Sequence, residues 1–248
     1  MQGLRTVVFY VLLGLSAVIW CLLCLPIAPF LPLHARYVLI ARSWCRFAVG
    51  LTRMVLGIRY EVEGLDNIPA QPCVVLAKHQ STWETFYLTG LFAPLALVLK
   101  RELLRIPFFG WAMALIKPIA IDRDNPKQAL KQVASIGHER LGQGFWLLVF
   151  PEGTRVPAGE MGKFSRSGAS LAVGANLPVL PIAHNAGECW PRDGWAKYPG
   201  TIKVVIGQPL QAEGEGPRAV AELSARAEAW IAETMQRING TARAEQAN

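Results

Sequence analysis

The sequence predicts an α/β fold in which a mainly parallel sheet is flanked by helices and preceded by an N-terminal hydrophobic helical membrane anchor. From residue 58 onward, short apolar runs of β-type residues alternate with segments of helical period. Upstream of these, residues 6–33 contain no charged side chain. The chain has 248 residues, which is enough to bury the core of one such domain.

The uncharged stretch 6–33 is long enough to cross a hydrocarbon core, which takes about 20 helical residues. Pro26, Pro29 and Pro32 predict that its helix stops near residue 25. The stretch is long for a signal peptide and no small-x-small cleavage site follows it, so we interpret it as a retained anchor. One arginine precedes it and five follow within residues 36–59. This asymmetry predicts a protein of the cytoplasmic membrane whose following domain lies on the cytoplasmic face.

Residues 36–57 predict a second, amphipathic helix. Arg42, Arg46 and Arg53 lie within roughly 40° of one another at about 100° per residue, with apolar side chains opposite them. Such a helix lies in the membrane interface with its guanidinium groups on lipid phosphates, or it packs on the domain as a surface helix. We therefore assign residues 1–57 to membrane-associated helices, 58–240 to the α/β domain and 241–248 to a disordered tail.

Apolar runs and turn signals predict the elements of the α/β domain. We expect strands at residues 58–63, 73–77, 94–100, 117–121, 145–150, 179–183 and 201–206. We expect helices at 81–92, 125–141, 163–174 and 217–238, the last ending at Gly240, and short helices within 101–115.

The composition narrows the classes of partner. The 25 basic and 18 acidic residues give a net charge of +7, which favours nucleic acid, anionic lipid or phosphorylated metabolites. Nucleic acid is disfavoured because many basic residues fall in the membrane-proximal helix and no basic patch is interleaved with aromatic residues. The five cysteines form neither a disulfide framework nor a zinc pattern, so we expect a reducing compartment and no metal site. No P-loop, G-x-S-x-G or dinucleotide-binding motif is present.

Polar residues follow several of the predicted strands, which strand propensity does not explain. They are Lys78-His79, Asp122-Arg123-Asp124, the turn at residues 151–155, and His184-Asn185. In open α/β sheets, ligands bind beyond the carboxyl ends of the strands. The pattern therefore predicts one shared crevice at this edge of the sheet.

Two of these strand ends carry residue types suited to catalysis and anion binding. If a helix starts at residue 81, Glu84 lies in its first turn and can orient the His79 imidazole as a general base. The alternative is a strand–turn–helix corner in which the histidine caps the helix. Arg123 and Arg155 match phosphate oxygens or pair with neighbouring acids, and Gly153 permits close backbone approach. His184 is more simply a packed or capping histidine.

Taken together, these blocks resemble the 1-acylglycerol-3-phosphate O-acyltransferase (lysophosphatidate acyltransferase) family. The family block H-x-x-x-x-D resembles residues 79–84, F-I-D-R resembles 120–123, F-P-E-G-T-R matches 150–155 residue for residue, and a proline-bearing fourth block resembles 177–182. The blocks occur in the family's order over about residues 60–210. Glu84 stands where the family usually has Asp, and Ala120 where Phe is common.

The resemblance implies a glycerolipid acyltransferase-like fold that transfers a fatty acyl group from acyl-CoA or acyl-ACP (acyl carrier protein) to lysophosphatidate in membrane lipids, giving phosphatidic acid. It implies His79 as general base and Glu84 as the group that stabilises the imidazolium. It implies that Lys100, Arg123 and Arg155 hold the acceptor phosphate, and that Glu152, with Gly153 and Thr154 beside it, accepts a hydrogen bond from the glycerol. No metal and no cofactor besides the acyl donor is expected.

Three alternatives stay open at the level of sequence. The acceptor could be a lyso-ornithine lipid or glycerol 3-phosphate, although the paired arginines favour a phosphorylated acceptor. A membrane-bound thioesterase or lipid hydrolase would use the same His–Glu pair on water. A non-catalytic lipid-binding membrane protein would retain lipid without turnover.

Overall fold

The computed structural model describes residues 2–122 and 124–246, except for the side chains of residues 126, 127, 130 and 240–246. The chain forms two compact units, each assembled from two separate stretches. The first comprises Met1–Leu56 and Thr85–Leu147, and the second comprises Gly57–Glu84 and Leu148–Asn248. The sequence predicts membrane-associated helices before residue 58 and a disordered tail after residue 240. That division into regions stays a prediction.

The first unit begins with the apolar helix α1 (Gln2–Cys24). Its most apolar window has a mean hydropathy of 2.6 and is only 17% buried, so the helix is long and apolar enough to cross a membrane. Large apolar side chains such as Leu4, Ile19 and Leu23 are exposed along it. The helix ends one residue before the predicted position, and a short 3-10 helix, Ala28–Phe30, follows in the proline-rich segment.

The second helical segment is confirmed but is less regular than its sequence period predicts. It consists of α2 (Leu33–Tyr37) and α3 (Ser43–Leu51), each followed by a π-helical turn, Val38–Arg42 and Thr52–Leu56. The wider π turns shift the side-chain period. Met54, in the second π turn, is 78% exposed, whereas Leu51 is buried.

The remainder of the first unit carries short strands and helices. They are α4 (Trp83–Leu91, which begins in the second unit), β3 (Leu95–Ala96), β4 (Val98–Lys100), the 3-10 helix Arg101–Arg105, α5 (Phe109–Leu115), β5 (Ile119–Ile121) and α6 (Pro126–Gly142). The predicted N-cap of α6 is present, since the Asn125 side chain accepts a hydrogen bond from the Gln128 N–H at 3.3 Å.

The prediction of one strand at residues 94–100 is wrong, because this segment forms two short strands that pair with different neighbouring strands. β3 is parallel to the start of β6 (Trp146–Val149), whereas β4 is parallel to β5. The Leu97 carbonyl already accepts from the Ile119 N–H at 2.8 Å. The change of partner therefore falls between Ala96 and Leu97.

The second unit contains a mixed, mainly parallel sheet. Its strands are β1 (Ile58–Glu63), β2 (Val74–Ala77), the end of β6, β7 (Val179–His184) and β8 (Gly200–Ile206), in the order β1–β8–β7–β2–β6. The β1–β8 and β2–β7 pairs are parallel, and β7–β8 is antiparallel. The predicted fold class is thereby confirmed.

Helices cover the sheet of the second unit. Helix α7 (Ser167–Ala175) packs on β2, and α9 (Gly216–Gln246) packs on β7 and α7. A short helix, α8 (Ala186–Cys189), was not predicted. Behind the sheet, apolar side chains of β7, β8 and α9 form a buried cluster of Ala183, Val205, Ile231, Met235 and Ile238.

Two helix boundaries in the second unit differ from the predicted ones. Helix α7 starts at Ser167 and not at residue 163. In the segment before it, the Gly162 N–H donates to the Glu152 side chain and the Ser165 N–H donates to the Pro151 carbonyl. Helix α9 continues past Gly240 to Gln246. A helical glycine costs only about 1 kcal/mol relative to alanine, and the following Ala, Arg, Glu and Gln residues are good helix formers.

A close backbone approach at Gly64 gives a prediction about stability. Gly64 has φ +78°, and an added Cβ would lie 2.2 Å from the Ile206 carbonyl oxygen. We expect Gly64→Ala to lower the free energy of unfolding by about 2–4 kcal/mol, measured by denaturant unfolding in detergent micelles. Gly216→Ala is the matched control, with the same φ and open space around the new Cβ, and it should lose about 1 kcal/mol. Equal losses would contradict the close approach.

Candidate active site

The turn between β2 and α4 is closed by the carboxylate of Glu84. Glu84 Oε1 accepts hydrogen bonds from the backbone N–H groups of Gln80 and Ser81, each at 2.8 Å. Glu84 Oε2 accepts from the Ser81 hydroxyl, whose oxygen in turn accepts from the Trp83 N–H at 2.9 Å. This is a variant of the capping box, in which a Ser and a Glu three residues later satisfy free N–H groups at a helix start. The S-x-x-E spacing of residues 81–84 is the sequence signal of this cap.

The same carboxylate also binds the His79 imidazole, as the spacing predicts. The distance from His79 Nδ1 to Glu84 Oε1 is 2.9 Å. The Glu84 side chain is 1% exposed and the His79 side chain 15%. Glu84 is thus a buried group that orients a histidine with access to solvent.

Glu84 stays ionised at neutral pH. Burial by itself raises the pKa of its carboxyl, but His184, His79 and the hydrogen bonds from His79 and Ser81 outweigh burial and lower the pKa to about 2. An ionised carboxylate can only accept hydrogen bonds. The neutral His79 imidazole therefore carries its proton on Nδ1 and presents a lone pair at Nε2, the arrangement that a general base requires.

The turn that follows β6 contacts both the backbone and the ring of His79. Its N–H donates to Glu152 Oε2 at 2.9 Å, and its carbonyl accepts from the Val156 N–H at 2.9 Å. Its ring stacks on Phe150 with centroids 3.9 Å apart and an interplanar angle of 12°. With Nδ1 bound to Glu84, the ring has little freedom to turn away from one orientation.

Glu152 is occupied by contacts within the protein. Its side chain forms an ion pair with Lys78, and both side chains are 0% exposed. Glu152 Oε1 also accepts from the Gly162 N–H at 2.9 Å. Both carboxylate oxygens thus bind donors of the surrounding turns, which sequence reasoning did not foresee.

His184 is a structural histidine, in agreement with the simpler of its two interpretations. Its Nε2 donates to the Lys78 carbonyl at 2.7 Å, and its Nδ1 accepts from the Ala186 N–H at 3.2 Å. Burial is the main reason that its pKa is lowered, which favours the neutral tautomer that these two contacts require. His184 therefore ties the end of β7 to the end of β2.

The motif at residues 150–155 forms a turn that ends in a cation. Gly153 has φ +68°, a left-handed conformation that glycine adopts without strain, and both Gly153 and Thr154 are exposed. Arg155 is half-buried and, within the described part of the chain, has no carboxylate at ion-pairing distance. Burial, and to a lesser extent the charge of Arg155, lowers the pKa of Lys197. Arg155 is therefore a cation suited to an anionic ligand.

The second unit thus brings together six of the predicted site residues: His79, Glu84, Glu152, Gly153, Thr154 and Arg155. Lys100 lies in the first unit, at the end of β4, where its ammonium group is 3.6 Å from Glu102. Arg123 lies outside the described residues.

One group of acids meets the spacing of a metal site. Carboxylate oxygens of Glu102, Asp122 and Asp124, in the first unit, lie within 4.8 Å of one another. All three side chains are at least partly exposed, and exposed acidic groups commonly cluster without an ion. The cluster gives no reason to assign a metal to the reaction.

Comparisons with known proteins agree with the fold. The crystal structure of the 1-acyl-sn-glycerophosphate (LPA) acyltransferase, PlsC, from Thermotoga maritima superposes with a TM-score of 0.79 over 96% of both chains, at 24% identity. This likeness shows the same arrangement of sheet and helices.

Sequence comparisons identify the family. A protein from Pseudomonas aeruginosa named 1-acyl-sn-glycerol-3-phosphate acyltransferase is 66% identical over 238 residues, covering 96% of this chain and 93% of that protein. The human 1-acyl-sn-glycerol-3-phosphate acyltransferase alpha is 33% identical over 180 residues, covering 70% of this chain and 62% of the human protein. The profile of the Acyltransferase family matches residues 59–185, a span that includes His79, Glu84 and Arg155, and the chain therefore belongs to the acyltransferase family.

Proposed function

We propose that this chain is a membrane-associated 1-acyl-sn-glycerol-3-phosphate acyltransferase. It transfers a fatty acyl group from acyl-CoA or acyl-ACP to the free hydroxyl of the lysophosphatidate, giving phosphatidic acid. The observation that carries this proposal is the 2.9 Å contact between His79 Nδ1 and the ionised Glu84. Both lie in the same unit as Arg155, which has no carboxylate partner among the described residues. The relatives described above, which are named for this reaction, support it.

In the proposed mechanism, His79 Nε2 takes the proton of the acceptor hydroxyl as its oxygen attacks the thioester carbonyl. The tetrahedral intermediate collapses, the C–S bond breaks, and the imidazolium returns the proton to the departing thiolate. The Glu84 carboxylate stabilises the imidazolium in between. A positioned base of this kind contributes about 10²–10⁴ in rate, and the orientation of the two bound substrates contributes the rest.

The acceptor phosphate is the ligand that we propose for Arg155. A guanidinium group matches phosphate oxygens in bidentate geometry, and no carboxylate among the described residues competes for this one. Arg123 and Lys100 are proposed as further cations on the same phosphate. Gly153 and Thr154, exposed in the same turn, are proposed to contact the substrate.

The membrane supplies the acceptor in this proposal. The apolar helix α1 anchors the chain, and the excess of arginines after it favours a catalytic domain on the cytoplasmic face. The partners are then membrane lipids and the acyl donor, without nucleic acid, and the reaction needs no cofactor or metal besides the donor.

A product assay tests the function. The purified chain is incubated with acyl-CoA or acyl-ACP and with lysophosphatidate, a lyso-ornithine lipid or glycerol 3-phosphate, and the products are identified by mass. We expect phosphatidic acid from lysophosphatidate. Free fatty acid released at the same rate without any acceptor would instead identify a hydrolase, and lipid retention without turnover a binding protein.

Removal of the base should abolish turnover. We expect His79→Ala to lower kcat by about 10²–10⁴-fold, because no positioned base then takes the proton of the attacking hydroxyl. His138→Ala, at an exposed histidine of α6, is the control and should leave kcat unchanged. Near-normal acyl transfer by a folded His79→Ala variant would overturn the mechanism.

The low pKa of Glu84 predicts how stability depends on pH. A carboxyl whose pKa falls from 4.5 to about 2 on folding stabilises the folded state above pH 4.5, and this contribution is lost as the pH falls through 4.5 to 2. Its size is about 3 kcal/mol. Glu84→Gln has no such titration, so the difference in unfolding free energy between the wild type and this variant should shrink over that window. A difference that stays constant between pH 5 and pH 2 would contradict the assigned pKa.

Loss of the proposed phosphate ligand should act on substrate binding. Arg155→Ala should raise KM for lysophosphatidate by about 10–100-fold, because it removes a hydrogen bond to a charged group, whose free energy corresponds to a factor of that size. Arg155→Lys should raise KM less. Arg218→Ala, at an exposed arginine of α9, serves as the control. An unchanged KM with a lower kcat would assign Arg155 to the chemical step.

A further inference from the structure

We propose that Glu152 is a positioning residue for His79, which acts through the backbone of the turn at Lys78-His79 and does not touch the acceptor. The proposal rests on the proposed function of His79 as the base. It replaces the glycerol contact that the family resemblance implies for Glu152.

The first argument is access. The Glu152 side chain is 0% exposed, and its donors are the Lys78 ammonium and the Gly162 N–H at Oε1 and the His79 N–H at Oε2. A carboxylate offers about four lone-pair sites. An acceptor hydroxyl would have to displace a protein donor or reach an atom that solvent does not reach.

The second argument is charge. Lys78 directly follows β2, whose four residues are all buried, and its own side chain is 0% exposed. A buried ammonium group requires a counter-charge, because an unpaired buried charge is strongly destabilising. Glu152 meets this requirement, and its second oxygen binds the N–H of the next residue, His79. One rigid carboxylate thereby fixes both Lys78 and the backbone of the base.

The third argument is the close packing of residues 156–162, which follow the motif at 150–155, against Glu152 and His79. An added Cβ at Gly162 would lie 3.1 Å from Glu152 Oε1 and 2.8 Å from Val156 Cγ2, so a glycine allows the loop to approach this closely. Val156 in turn donates its N–H to the His79 carbonyl. Both polar groups of the His79 backbone are therefore held by the segment at residues 152–162.

Steady-state kinetics separate the two roles of Glu152. We expect Glu152→Gln to lower kcat by about 10–100-fold, as a displaced catalytic group does, with KM for lysophosphatidate changed less than about twofold. Glu160→Gln, at an exposed glutamate of the same loop, is the matched control and should change neither constant. A raised KM with an unchanged kcat in Glu152→Gln would assign Glu152 to the acceptor and overturn the proposal.

A double variant tests the ion pair and covers the case in which Glu152→Gln does not fold. Lys78→Met and Glu152→Gln each leave one charge buried alone, whereas the double variant Lys78→Met/Glu152→Gln removes both. The double variant should be less destabilised than the sum of the single variants, and it should keep the wild-type KM for lysophosphatidate with a lowered kcat. Additive losses, or a KM raised about tenfold or more, would overturn the proposal.

A readout that does not depend on turnover distinguishes failure of this proposal from failure of the proposed function. We expect diethyl pyrocarbonate to modify His79 faster in Glu152→Gln than in the wild type, with exposed His138 as the internal reference and mass spectrometry to assign the sites. An unchanged rate at His79 would overturn the positioning role. A wild-type chain that transfers no acyl group would instead overturn the proposed function, while the modification rate and the unfolding data still report on Glu152.

Discussion

The structure of the site depends on one buried carboxylate, that of Glu84, which binds the turn and the imidazole at once. Its Oε1 accepts from two backbone N–H groups and from His79 Nδ1. Without these donors, a carboxyl buried to this degree would favour its protonated form. With them it stays charged, and that charge determines which nitrogen of His79 carries the proton.

The double role of Glu84 also explains how glutamate functions at a position where aspartate is usual in the family. Glu84 is three residues after Ser81 and takes the glutamate position of a capping box at the start of α4. The longer side chain reaches both the N–H of Ser81 and the ring of His79. The Glu84 carboxylate thus caps the start of α4 and contacts the base at the same time.

Neighbouring strands explain why residues far apart in sequence meet here. β2 lies between β7 and β6 in the sheet, and each of these strands ends beside the turn that carries His79. From the end of β7, His184 binds the Lys78 carbonyl, and from the turn after β6, Glu152 binds the His79 N–H. In open α/β folds, ligands bind beyond the carboxyl ends of adjacent strands, and these residues lie at such strand ends.

The sequence by itself determined the fold class, most strands and the pairing of His79 with Glu84. These features depend on residues that are close together in the sequence. The alternation of side chains along a strand and the five-residue separation of His79 and Glu84 both follow from local backbone geometry. Only the tertiary structure decided the partners of Glu152, which lies 73 residues from His79, the role of His184 and the split of residues 94–100 into two strands. Each of these depends on which strands lie side by side, and a local pattern does not contain that information, because the same apolar run can pair with any strand that buries it.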